Sequence, residues 1–169
     1  TIAGPDGELA LSIPTVKPDT LKCPMKDIRI SDHGNWRHLH WNAIESAYNN
    51  TPFFEYYKDD FRPFYEKKYE FLIDFNEEIC RLVCQLIDIQ PNIERTSAYK
   101  MEFSAEETDF RESIHPKKDF RTTDPEFSPQ PYYQVFESKL GFLPNLSIID
   151  LLFNMGPESL LVLKKPTRL

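Results

Sequence analysis

His40 and Asp150 are the two side chains in this sequence whose type and surroundings point to proton transfer. His40 falls on the apolar face of a helical pattern, among Trp36, Leu39, Ala43, Ile44 and Ala47, while Arg37 and His38 point elsewhere. Asp150 interrupts Ile148, Ile149, Leu151, Leu152 and Phe153, a run so apolar that its helix belongs in a core. An imidazole takes a proton near neutral pH and a carboxylate can hold it in orientation, so His40 would be the general base and Asp150 its positioning partner. Asn145, or the N–H groups opening the Ile148 helix, would face a developing oxyanion. Each residue also has a plain structural reading. A histidine among Trp, Ile and Ala is more often a core residue with satisfied ring nitrogens, and Ser147 followed three residues later by Asp150 fits a capping-box-like helix start. Polar groups buried without partners cost free energy, so the catalytic reading requires His40, Asp150 and at least one of Gln134, Asn145 or Ser147 to share one hydrated cleft.

The elements that would position these groups are written in the apolar spacing. Trp36, Leu39, His40, Ala43, Ile44 and Ala47 recur at i, i+3, i+4, i+7, i+8 and i+11, which predicts a helix over 35–48 with Asn35 as its cap. Thr51-Pro52 marks the start of a next helix, and Pro63 limits the aromatic stretch from Phe53 to Tyr69 to two short pieces. Ile79, Leu82, Val83, Leu86 and Ile87 form the inward face of a helix over 76–87. Val135, Phe136 and Leu140, stopped by Gly141, give a short helix before the elbow, and a further short helix follows Pro157. Strands are expected at Leu9 to Ile13, at Ile28 and Ile30, along Ala98, Tyr99, Met101 and Phe103, and near Phe110 and Ile114, with 121–131 as a surface linker. Residues 1–6 read as the tail of a hairpin loop whose first strand is missing, so the chain is expected to be N-terminally incomplete, with an open edge that promotes a homodimer. The pattern as a whole predicts an α+β fold, one domain over 1–169 with helices packed on a small sheet.

Composition narrows the function classes. A net charge of −7 works against phosphate backbones, so no nucleic-acid partner is expected, and the basic HPKK run at 115–118 reads as a solvated loop before it reads as a single-phosphate site. Three cysteines without metal-ligand spacing indicate neither a disulfide framework nor a zinc site, and Cys80 and Cys84 read as buried small hydrophobes on a helix. A reducing, cytoplasmic setting fits that usage. No apolar stretch is long enough for a membrane span, and no GxGxxG, Walker, GxSxG or HExxH motif is present, so neither cofactor nor metal is expected.

Three ordered blocks, WRHLHWNAIESAY at 36–48, PFFEYY at 52–57 and YYQVFESKLGFLPNLSIIDLLFNMGPES at 132–159, resemble the WbqC-like family. The resemblance implies a longer front segment, which is expected to precede Thr1. The family takes its name from a gene of bacterial O-antigen clusters, and the resemblance implies a small-molecule or sugar-linked substrate and acyl or aminoacyl transfer to an amino sugar. Positions matching the strongest blocks are His40, Trp41, Tyr48, Gln134, Asn145, Ser147, Asp150 and Asn154. The resemblance thus implies His40 and Asp150 as catalytic groups and the other six as substrate-binding ones.

A transferase of surface-polysaccharide biosynthesis is the first functional expectation. A non-catalytic glycan- or protein-binding module, using tyrosines as stacking surfaces for sugar faces, is the alternative from a different class. An α+β domain whose marked polar residues are caps and satisfied core groups is the plainest reading of all.

Overall fold

The computed structural model describes residues 1–20, 23–111, 118–119, 122 and 127–164. The chain opens with a hairpin, β1 (Ile2–Gly4) and β2 (Gly7–Leu9), antiparallel with Ile2 opposite Leu9 and Gly4 opposite Gly7. The strand expected to be missing is therefore β1 itself. It escapes a periodicity reading because it is three residues long and all three are buried, which leaves no polar alternation. Leu11 and Ile13 pack against the core without joining a strand. The segment around Ile28 and Ile30 makes only isolated bridges, Thr15 with Ile30 and Arg29 with Phe71, which tie 14–16, 28–31 and 70–72 together.

Helix α1 (Trp36–Tyr48) has the expected bounds but not the expected cap: Asn35 adopts a left-handed conformation, φ 49°, and its side chain makes no capping bond. Thr51 likewise does not open the next helix. Its hydroxyl donates to the Tyr48 carbonyl at 2.7 Å and closes α1, while α2 (Phe54–Phe61) begins later. Pro63 stands at the first turn of α3 (Pro63–Glu66), and α4 (Leu72–Leu86) starts one turn earlier than its apolar spacing suggests. Residues 96–103 form no strand; Tyr99 and Met101 are exposed there, because alternation without a partner segment supplies no ladder. Ile114, most of the HPKK run, and 121 and 123–126 of the expected linker lie outside the described residues.

Beyond the linker come α5 (Glu137–Leu140), α6 (Ile148–Met155) and α7 (Ser159–Leu163). Ser147 occupies the N-cap position of α6, yet its side chain makes no cap bond. Its backbone N–H donates instead to the Thr1 carbonyl at 2.8 Å, which fastens the elbow to the front of the chain. The helices share one aromatic core. Phe153 of α6 stands edge-on to Tyr48, Phe54 and Phe61, with centroids 5.2, 5.1 and 5.4 Å away, an arrangement that aligns ring edges with ring faces. Ile79 and Leu82 of α4 touch both this cluster and a second one built on Trp36, Phe64, Tyr69 and Phe75. The result is the α+β architecture expected, with α1 and α6 against the hairpin and α2 and α4 joined to them through the shared core.

Candidate functional site

Asp150 lies in the first turn of α6 and has no contact with solvent. Because α6 is apolar on nearly every side, packing it into the core carries the carboxylate inward, where only hydrogen bonds can offset lost hydration. Three are supplied. Tyr48 of α1 donates its hydroxyl to Oδ1 at 2.7 Å, Tyr132 donates to Oδ2 at 2.7 Å, and the Gln134 amide donates to Oδ2 at 3.3 Å. The Tyr48 oxygen in turn accepts the Ala3 N–H of β1 at 3.2 Å. Gln134 also brackets Leu143, donating to its carbonyl and accepting its N–H, both at 2.8 Å, in the manner of a strand neighbour. Asn154 completes the site by donating to the Asp150 carbonyl at 2.8 Å and accepting the Val135 N–H at 3.1 Å.

Electrostatics follow from this burial. Desolvation raises the Asp150 carboxyl above the ordinary aspartate range, against the opposing pull of bonds from Tyr48, Tyr132 and Gln134. Burial, reinforced by the Asp150 charge, holds both phenols above the ordinary tyrosine range, so they remain protonated donors. Tyr48 is fully enclosed, whereas Tyr132 is half-buried and is the member of the network that meets solvent.

The other residues marked in the sequence stand elsewhere. His40 lies between Trp36, 5.2 Å away, and Tyr65, 6.5 Å away. Desolvation lowers its pKa, partly countered by a hydrogen bond at the Ser12 backbone, and burial pushes the Tyr65 phenol up to about 12. No hydrogen bond joins His40 to Asp150 among the described residues, and His40 precedes Tyr48 by two turns, roughly 12 Å along the helix axis. Trp41 is a core ring, 6.2 Å from Phe54 and 5.6 Å from Tyr65. Asn145 is exposed in the elbow with φ 58°, and Ser147 is half-buried. The structure thus gathers Tyr48, Gln134, Asp150 and Asn154, leaves the side chains of His40, Trp41, Asn145 and Ser147 outside the hydrogen-bonded group, although the Ser147 carbonyl accepts the Asp150 N–H at 2.9 Å, and adds Tyr132. The signal for Tyr132 was its place two residues before Gln134, which in an extended segment puts both side chains on one side.

Cys80 is exposed and Cys84 only half-buried, so neither is the enclosed hydrophobe expected; both face away from the Phe75, Ile79 and Leu82 side of α4. Among the described residues no group of three His, Cys, Asp or Glu side chains is arranged to hold a metal ion, and no helix is long and apolar enough to cross a membrane.

A family model, the WbqC-like protein family, matches residues 1–117, and the chain belongs to that family. No curated protein and no solved structure matches it. Ala3 and Tyr48 lie within the matched stretch, while Tyr132, Gln134, Asp150 and Asn154 lie beyond it.

Proposed function

We propose that this chain is a transferase of bacterial surface-polysaccharide assembly that places an acyl or aminoacyl group on an amino sugar. Family membership supports the setting, and one observation carries the chemistry: a half-buried tyrosine, Tyr132, donates its hydroxyl to a carboxylate, Asp150, that burial has made more basic than usual. In the proposed step the sugar nitrogen attacks the carbonyl carbon of an acyl thioester. Its proton moves to the Tyr132 oxygen as Tyr132 passes its own proton to Asp150. The C–S bond then breaks, and the proton returns through Tyr132 to the departing thiolate. Tyr48 and Gln134 hold the carboxylate in place, and Asp150, not His40, is the base.

The test is a mass-spectrometric assay of the full chain with nucleotide-linked amino sugars and a series of acyl thioesters. Wild type should give acylated sugar, Asp150→Asn should lose about 10²–10⁴-fold in rate, and His40→Gln should retain activity. Wild-type rates in both Asp150→Asn and Tyr132→Phe would remove the relay. The complete enclosure of Asp150 favours a second reading, a glycan- or protein-binding module in which the network is only a fastening. Glycan binding by wild type without any product in the transfer assay would select it.

A further inference from the structure

Helix α4 has a second face. Ile73, Glu77, Cys80 and Cys84 follow at i, i+4, i+7 and i+11 on the side opposite the core, and the chain leaving the helix turns back across them. Two devices fix that return. The Asp88 N–H donates to the Gln85 carbonyl at 3.2 Å and the Ile89 N–H to the Cys84 carbonyl at 2.8 Å, the bond pair of a Schellman turn, with Asp88 in the left-handed conformation at φ 56°. Seven residues on, Arg95 clamps Glu77 through two bonds of 2.5 and 2.6 Å. Residues 89–95 therefore form a strap over α4, and between strap and helix lies a cleft of about 920 Å³, the size of a small-molecule site.

The lining of this cleft is amphipathic. Met25, Ile73, Ile89 and Ile93 give it apolar walls, and Met25 and Ile93 are more than half exposed there. The charges are unequal in their engagement. Glu77 and Arg95 satisfy each other, whereas Arg81 forms no ion pair among the described residues. Glu77 and Glu78, one turn before Arg81 on the same helix, feel its charge through space, but neither they nor Asp88 form an ion pair with it among the described residues. An apolar trough with a guanidinium whose hydrogen-bond donors are not engaged by a carboxylate among the described residues suits a ligand with a hydrocarbon body and an anionic head.

We infer that the cleft between α4 and the 89–95 strap is a binding site for an amphipathic anion, its alkyl portion against Met25, Ile73 and Ile93 and its carboxylate or phosphate on Arg81. The site shares no residue with the Asp150 network and does not rest on the transferase reading.

Iodoacetamide alkylation of Cys80, followed by peptide mass spectrometry on the intact chain, reports occupancy, with Cys23, which does not line the cleft, as reference. Decanoate and decyl phosphate are the probes, and they separate the two head groups; decanol is the neutral control. At ten times the dissociation constant a bound anion should slow Cys80 alkylation about tenfold and leave Cys23 unchanged. Arg81→Gln, a change at an exposed position, should weaken anion binding about tenfold or more, as expected for a lost charge-assisted hydrogen bond. An amphiphile that merely unfolded the chain would accelerate alkylation instead, which counts against the site. The inference is overturned if no probe protects Cys80 at about 1 mM, an affinity worth only about 4 kcal/mol. It is equally overturned if decanol protects as well as the anions, or if Arg81→Gln binds as tightly as wild type.

Discussion

Tyr48 and Asp150 stand 102 residues apart in the sequence and share a 2.7 Å hydrogen bond out of reach of solvent. The phenol is bound on both sides, because it donates to Asp150 and accepts from the Ala3 N–H. Tyr48→Phe would leave a buried carboxylate oxygen and a buried backbone N–H short of a partner. A loss of about 2–4 kcal/mol in urea unfolding is expected, against about 1 kcal/mol for Tyr132→Phe, at a residue that is only half-buried. Equal losses from the two variants would show that burial is not what sets the cost.

Asp150 also predicts a dependence on pH. Its folded pKa is raised, so its contribution to stability is fully present below the unfolded pKa, about 3.9, and is lost as pH rises through the folded value. Asp150→Asn cannot ionise. Paired urea midpoints at successive pH values from 4 to 8 should therefore show wild type losing ground to the variant as pH rises. A difference that stays flat, or that moves in favour of wild type, contradicts the assigned direction.

Gly156 is held by its surroundings as well as by its backbone. Its φ is 55°, and a Cβ added there would lie 2.4 Å from Cδ1 of Phe53. Gly156→Ala should lower stability by more than about 2 kcal/mol, since a left-handed residue and a ring overlap are both imposed. Adding Phe53→Leu should recover part of that loss. A double-mutant cycle with no coupling would place the whole effect in the backbone.

Phe153→Ala removes the ring on which Tyr48, Phe54 and Phe61 converge, and should cost about 3–5 kcal/mol. Tyr56→Ala, at a side chain 76% exposed, should change the midpoint by less than about 0.5 kcal/mol. Calorimetry on the two variants side by side makes the comparison.

The helices were legible in the sequence where apolar spacing is long and regular: α1 was read to within a residue, and both the break at Pro63 and the stop at Gly141 were visible. Caps were not. Asn35 and Ser147 have the right chemistry for capping, but the left-handed backbone at Asn35 and the use of Ser147 to hold Thr1 send their groups elsewhere. Strand β1 was hidden by its brevity, and the 96–103 alternation misled because sheet formation depends on a partner that local pattern does not specify. Asp150 stood out as a polar break in an apolar run, but periodicity carries no information on which distant groups will meet it. Tyr48 and Tyr132 could be assigned as its partners only once α1, the 132–135 segment and α6 were in place.

The order in which the ribosome releases these pieces now matters. Phe153 and Asp150 emerge last among the residues around Tyr48, and β1, α1 and α2 are complete roughly a hundred residues before their partners leave the exit tunnel. At the usual 5–20 residues per second, the nascent chain spends on the order of ten seconds with Tyr48, Phe54 and Phe61 lacking the ring that covers them. Stability here is thus a late acquisition of synthesis: premature termination before α6 would release a chain with its sticky surfaces bare, a substrate for chaperones and proteases.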